Sequence, residues 1–509
     1  MNTYLGVELG STRIKAVSIN EEHQVISSGC CDWAPDFKNG IWTYDLNKAW
    51  KGLKTTIECI DDREYIKAMG ISAMMHGYLA FDKNWNLLVP FRSWQNTMTA
   101  NTSKKLTNLF SFNIPQRWSI AHLYQAVLNK EDHINRIAHI TTLAGYIHYK
   151  LTGVNAVGIG EASGIFPIDS ENLCYNKKMV EKFNELISQY DLPWKLENIL
   201  PSILPAGENA GCLTESGAKL LDDLLPAGIP FAPPEGDAGT GMVATNAIAP
   251  RTGNISAGTS IFSMVVLEKT LNDVHEEIDI VTTPTGNPVA MVHCNNCTND
   301  SNAWISVLKE ATALFGVEPT NDDLYTKLYE KSLEGDDDCG GVLVCNYMTG
   351  EGITRFDSGR PLVVRTPDAE FTLANFLRAT LFSTMATLKI GMNILSEEHI
   401  NIDSLIGHGG LFKTPVVGQK YIAAACNVPI TCMQTAGEGG PYGMALLAAY
   451  LDQKTNNETL EEYLNNRVFA GVLRTTLYPD QADLQGFNTY MEKYIHLLNV
   501  EKSAIDNIH

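Results

Sequence analysis

The feature that most constrains this chain is a short design that occurs twice. Near the start, Tyr4-Leu5-Gly6-Val7-Glu8-Leu9-Gly10 runs into Ser11-Thr12-Arg13 and then Ile14-Lys15-Ala16-Val17-Ser18-Ile19. From Thr252, Gly253-Asn254-Ile255-Ser256-Ala257 runs into Gly258-Thr259-Ser260 and then Ile261-Phe262-Ser263-Met264-Val265-Val266. Each unit is two β-rich runs joined by a turn of glycine and hydroxyl residues, the pattern of a hairpin. Two such units, each opening one half of the sequence, predict two related halves, residues 1–247 and 248–509. The 509 residues suffice for this, since a domain usually holds on the order of 100–200 residues.

Around these hairpins the pattern is α/β. A third strand is expected near Gln24 to Cys30, and a helix over 45–60, where Leu46, Trp50, Leu53 and Ile57 fall at helical steps. Ile66 to Met75 reads as a strand, 102–153 as mostly helical, and 177–190 as a further helix. Gly228 to Ala232 reads as a short strand leading to Gly236-Asp237-Ala238-Gly239, with a short helix from Met242 to Ala249. In the second half Leu373, Leu377, Leu381, Met385, Leu388, Met392 and Leu395 mark one buried stripe of a long helix. Strands are expected at 403–406 and 428–433, and helices at 415–426 and 441–451, where Pro441 suits a first turn.

Charge and cysteine usage narrow the class. A formal net charge of -20 argues against nucleic acid or an anionic membrane as partner. No run approaches the ~18 apolar residues of a membrane helix, and Met1 leads straight into the first strand with no leader pattern. Eleven cysteines spread over the chain form no disulfide framework, so a cytoplasmic protein is expected. Cys294 and Cys297 make one isolated C-x-x-C without the further ligands that zinc wants.

Five constellations carry chemistry, and each has a plainer reading. Backbone amides and hydroxyls in the turn Gly10-Ser11-Thr12 can grip an anion, and Glu8 on the strand before it can hold Mg²⁺; an ordinary glycine hairpin needs neither. Gly258-Thr259-Ser260 admits the same two readings. Asp237, between glycines at a strand end, suits a base for an attacking hydroxyl or caps the next helix. Gly407-His408-Gly409-Gly410 and Gly437-Glu438-Gly439-Gly440 are strand-to-helix turns that could admit a nucleotide or be ligand-free; neither is a P-loop. Met75-His76-Gly77, with Trp94-Gln95-Asn96 further on, offers hydrogen bonds and ring faces for a polyol.

In order and spacing these segments together resemble the FGGY family of carbohydrate kinases over essentially the whole chain. The resemblance implies a two-domain actin-like ATPase (ribonuclease H-like) fold with a central cleft for ATP and sugar. It implies ATP and Mg²⁺ as cofactors and a small-molecule sugar as substrate, with a homodimer left open. It assigns Asp237 as the base and Glu8 to Mg²⁺. Gly10, Ser11, Thr12, Gly258 and Thr259 would face the phosphates, Gly409, Gly410 and Gly439 the nucleotide, and Met75, His76 and Trp94 the sugar.

Within the family, Met75-His76-Gly77 is most similar to xylulokinases, so a pentulose such as D-xylulose is expected, with L-ribulose or another ketose as alternatives. Five positions depart from the pattern: Glu8 stands for the usual Asp, Gln95-Asn96 for Asn-Asp, Ala238 for Asn, and His122 lies near the usual Lys. An actin-like ATPase without sugar kinase activity is the reading from a different class. It would need no sugar-facing set such as His76 and Trp94.

Overall fold

The computed structural model describes residues 2–433 and 439–508. Its first sheet is built from strands Thr3–Leu9, Arg13–Asn20, Val25–Asp32, Ile66–Ala73 and Glu235–Gly236. In chain order they lie third, second, first, fourth, fifth. The first three are antiparallel neighbours; the fourth joins the first in parallel and the fifth joins the fourth in parallel.

A second sheet repeats this plan. Strands Thr252–Ala257, Ile261–Val266, Pro288–Cys294, Ser404–His408 and Ile430–Met433 again lie third, second, first, fourth, fifth. The first pair is antiparallel, and the fourth and fifth strands follow in parallel. Arg474–Leu477 then extends the edge, antiparallel to the fifth. The duplicated hairpin is therefore the visible start of a duplicated ribonuclease H-like sheet, the actin-like architecture.

The chain forms two compact units, and neither is one continuous stretch. The first comprises Met1–Ala249, Val274–Val289 and Glu438–Val472; the second comprises Pro250–Asp273, Ala290–Gly437 and Leu473–His509. A single cut at 247/248 follows the chain, whereas two later segments return to the first unit.

The core of the first unit lies on its sheet. Leu5, Val7 and Leu9 are fully buried. Helix Leu46–Glu58, capped by the Asp45 side chain on the Asn47 amide, buries Ala49, Leu53 and Ile57. Helix Gly439–Gln453 crosses the sheet in backbone contact: a methyl group on Gly6 would stand 2.0 Å from the Pro441 carbonyl oxygen. In the second unit, helix Leu373–Glu397, capped by Thr372, buries Leu377 to Leu395 of the expected set, but Leu373 is exposed and every residue from Ala374 to Leu388 is buried, so the helix is covered on all sides there rather than along one stripe.

Two elements differ from the sequence reading. Gly228–Ala232 is no strand but makes isolated bridges, Phe231 to Met69 and Pro230 to Cys212, and the strand proper is Glu235–Gly236. The next helix runs Asp237–Ala244 rather than from Met242, so Asp237 is its first residue.

Candidate active site

The first hairpin turn is fixed by donors that take its carbonyl oxygens. The Trp33 indole N–H donates to the Gly10 oxygen at 2.6 Å, and the Tyr44 hydroxyl donates to that of Ser11 at 2.9 Å. The Trp33 amide donates to the Thr12 oxygen at 3.1 Å. With its carbonyls engaged, the turn leaves the Thr12 side chain exposed. Trp94 reaches the same turn, its indole N–H donating to Ser11 Oγ at 3.1 Å.

Two carboxylates meet beside this turn. Glu8 faces Lys15 across the hairpin. A methyl group on Gly440, in the first turn of helix Gly439–Gln453, would overlap Glu8 Oε2, so that helix end closes over the carboxylate. Burial first and the negative charge of Asp237 second push the Glu8 carboxyl up to about 8, against the pull of Lys15.

Asp237 is held by the amides of Met75 and Ala238, which donate to its Oδ1 at 3.2 and 3.0 Å. It stays open to solvent. The protein packed around it nevertheless raises its carboxyl above the usual range, against the pull of those amides and of Arg117. Its helix has Gly236 as cap residue, so Asp237 does not cap the helix.

Met75 and His76 join this group from the end of strand Ile66–Ala73. His76 adopts a left-handed backbone, φ 67°. Its ring lies nearly parallel to Trp118, 6.2 Å between centroids, with Nδ1 3.5 Å from the Gly164 oxygen. Burial, with Arg117 second, holds it well below the ordinary histidine range, so it is a neutral hydrogen-bonding group.

Arg117, which the sequence reading did not single out, acts electrostatically on both Asp237 and His76. It is ion-paired to Asp279, whose Oδ1 accepts from the Asn113 side-chain Nδ2 at 3.2 Å. A lone arginine before a tryptophan belongs to no motif, so nothing in the sequence marked it.

The structure accounts for two of the departing positions. Asn96 is buried and clamps the backbone of Trp42, accepting from its N–H at 2.9 Å and donating to its oxygen at 2.8 Å. His122 is fully buried and stacks on Tyr78 at 6.3 Å, a core position.

Of the remaining candidates, Gly439 opens helix Gly439–Gln453 in the first unit, and Gly258, Thr259, Gly409 and Gly410 lie in the second. The Gly258 carbonyl accepts from the Thr298 amide at 3.1 Å and hydroxyl at 2.8 Å, and the Thr259 carbonyl from the Cys297 amide at 3.0 Å. The second turn is thus anchored by its carbonyls as the first is. Gly409, φ 101°, packs against Ala257: a methyl group there would stand 2.4 Å from that residue's carbonyl oxygen. Gly437 and Glu438 lie outside the described residues. Cys294 and Cys297 are free and buried.

Comparison with known proteins matches this arrangement. The N-terminal domain of the FGGY family of carbohydrate kinases matches residues 3–244, and the C-terminal domain of that family residues 253–451. A xylulose kinase of Haemophilus influenzae is 21% identical, over 97% of this chain and 98% of its own length. The structure of a xylulose kinase from Brucella ovis superposes with a TM-score of 0.79 at 19% identity, covering 98% of this chain and 99% of that one. A gluconate kinase from Lactobacillus acidophilus gives 0.79 at 16% identity, covering 98% of both chains. Matched across both domains, in the order its own repeat announces, the chain belongs to the FGGY family of carbohydrate kinases.

Proposed function

We propose that this protein transfers the γ-phosphoryl group of ATP to a hydroxyl of a small neutral sugar, with a pentulose such as D-xylulose the leading acceptor. The observation that carries this reading is Asp237: an accessible carboxylate, fixed by two backbone amides, beside the His76 and Arg117 groups that can orient a polyol.

In this reading the sugar hydroxyl gives its proton to Asp237 Oδ2, which neither amide engages. Its oxygen forms the bond to the γ-phosphorus, and the bond to the departing ADP oxygen breaks. Positioning and charge neutralisation supply most of the rate. The raised carboxyl of Asp237 suits a base, since proton affinity nearer neutrality favours transfer.

Glu8 is assigned to Mg²⁺, which is usually held by one or two carboxylates together with substrate phosphates. Burial and Asp237 keep a proton on its carboxyl near neutral pH, and the ion's charge would displace it. When bound with ATP, the ion would neutralise phosphate charge. Glu8 would hold it, one methylene further out than an aspartate. Gly10, Ser11, Thr12, Gly258 and Thr259 are assigned to the phosphates, and Gly409, Gly410 and Gly439 to the nucleoside side.

Met75, His76 and Trp94 are assigned to the sugar, as the relatives named xylulose kinase suggest. A gluconate acceptor is disfavoured because Arg117, the guanidinium that acts on the base, is already paired with Asp279. The eleven free thiols and the use of ATP fit a cytoplasmic setting.

The test is ADP release from Mg-ATP against D-xylulose, L-xylulose, D-ribulose, L-ribulose, L-fuculose, L-rhamnulose, glycerol and gluconate. Release strongly stimulated by one pentulose is expected. Turnover best on gluconate would overturn the neutral-sugar assignment, and release indifferent to every sugar would overturn the kinase reading.

A further inference from the structure

Directly behind Asp237, on the other side of Gly236, a second acid points into the protein. Glu235 is 1% exposed, and the backbone of 158–161 is shaped around its carboxyl group. Its Oε1 accepts from the Gly160 amide at 3.3 Å and its Oε2 from the Glu161 amide at 2.9 Å. A methyl group on Gly158 would stand 2.1 Å from Oε1, and one on Gly160 2.4 Å from Oε2. Two glycines thus make the room the carboxyl fills.

The residues just after that segment reach two further parts of the sugar side. Ser163 Oγ donates to the Gly160 oxygen at 2.6 Å and accepts from the Thr282 amide at 3.1 Å, on the strand Ile278–Thr282 that carries Asp279 and so holds Arg117. Gly164 supplies the oxygen that faces His76 Nδ1. One buried carboxyl therefore ties the strand that leads into the base to the segment that orients the histidine and the arginine's partner.

A third acid completes the arrangement. Glu161 is fully buried, with only the Thr142 hydroxyl to pull on its carboxyl. It lies against Gly236, where a methyl group would stand 2.6 Å from its Oε2. An isolated buried charge is far costlier than a buried neutral acid. Burial therefore keeps the proton on Glu161, against the pull of the Thr142 hydroxyl and with the adjoining Glu235 and Asp237 adding to the rise. Burial also pushes Glu235 up to about 8, against the pull of the Gly160, Glu161 and Gly236 amides, so what its two N–H partners fix is the place of its oxygens.

We propose that Glu235 is a positioning residue: held in its glycine cradle, it fixes the base Asp237 against the sugar-facing His76. The assignment rests on the kinase reading above. Glutamine at this position offers one acceptor oxygen and sets its amide donors against a second donor, so one buried N–H is left unpaired, which is costly. The cradle then shifts, and His76 and Asp237 lose register. Misplacement on the order of 1 Å can cost about 10²-fold in rate.

The experiment is Glu235→Gln, read by kinetics on the accepted sugar and by ¹⁵N NMR of the histidine rings, which needs no turnover. Expected are a fall of about 10²-fold in kcat/KM for the sugar, an unchanged KM for Mg-ATP, and displaced His76 ring signals. The signals of His148, hydrogen-bonded to the Ala210 oxygen, should not move. Glu161→Gln, a neutral group for a neutral group, should keep the sugar kcat/KM.

A folded Glu235→Gln enzyme with unaltered sugar kinetics and His76 signals would overturn the proposal. So would sugar and ATP constants worsening together with a lower melting temperature, the sign of general loosening. Loss confined to Glu161→Gln would place the linkage on Glu161 and overturn the proposal. Should Glu235→Gln not fold, Glu235→Asp carries the same tests, since it keeps a carboxyl but one methylene short of the cradle. If the wild type phosphorylates no sugar, the kinase reading fails by itself, and the His76 signals still decide the linkage.

Discussion

Asp237 opens its helix one residue past its strand, and that placement decides what it can do. Its Oδ1 is spent on two amides, while the side chain stays accessible. Asp237→Asn keeps the shape and removes the basicity. Sugar phosphorylation should fall by about 10²–10⁴-fold, with Mg-ATP affinity by calorimetry within error of wild type. Retained turnover would remove Asp237 from the base role. His122 shows the opposite case, a titratable group with no place in the chemistry. Burial first, then Arg92, pushes it down to about 3, so it stays neutral in the folded protein while the unfolded chain takes up a proton below about 6.5. The stability it contributes is complete above that pH and is lost as pH falls toward 3. Against His122→Gln, the wild type's stability advantage in denaturant titrations should shrink by about 2 kcal/mol between pH 7.5 and pH 5. A constant gap would mean that His122 already titrates normally. Both residues were legible as types. What separated them was burial and neighbours, which spacing along the chain does not encode.

At the scale of elements, most strands and the long helix were readable because their apolar periodicity is strong, and the exceptions have causes. The helix Asp237–Ala244 opens with Asp-Ala-Gly-Thr-Gly, a poor helix former by propensity. It forms because tertiary contacts hold its first turn: the Thr240 hydroxyl donates to the Gly236 oxygen at 3.2 Å and lies 3.1 Å from the Ser72 hydroxyl. The hairpin of Asp36–Lys38 and Ile41–Thr43 has a similar dependence. Its Trp42 is fastened by Asn96 in the loop that presents Trp94. Asn96→Leu should strand the Trp42 N–H and lower stability by about 1–3 kcal/mol. It should also raise the sugar KM through Trp94 while sparing the ATP KM. A variant that loses stability but keeps its sugar KM would show that hairpin and sugar side are independent.

For the molecule as a whole, the repeated hairpin revealed duplication but not how the chain is shared between the units. A repeat speaks of chain order, whereas compactness is decided by which surfaces need cover. The first sheet needs helix Gly439–Gln453, in which every residue from Pro441 to Tyr450 is buried. A helix apolar on all sides is a core element, and this one is pressed close enough to the sheet that a methyl group on Gly70 would stand 2.1 Å from Met444 Cε. Burying Tyr442, Met444, Leu446 and Leu447 is worth roughly 1.5–3 kcal/mol apiece. Together they match the roughly 5–15 kcal/mol that stabilises a typical folded protein. A fragment of residues 1–249 should therefore lack a cooperative thermal transition by circular dichroism, although it holds all five strands of its sheet. The same fragment joined by a flexible linker to residues 438–472 should regain one. Cooperative unfolding of 1–249 by itself would mean that the sheet can cover its own face, and that the returning helix serves the site at Glu8 rather than the fold.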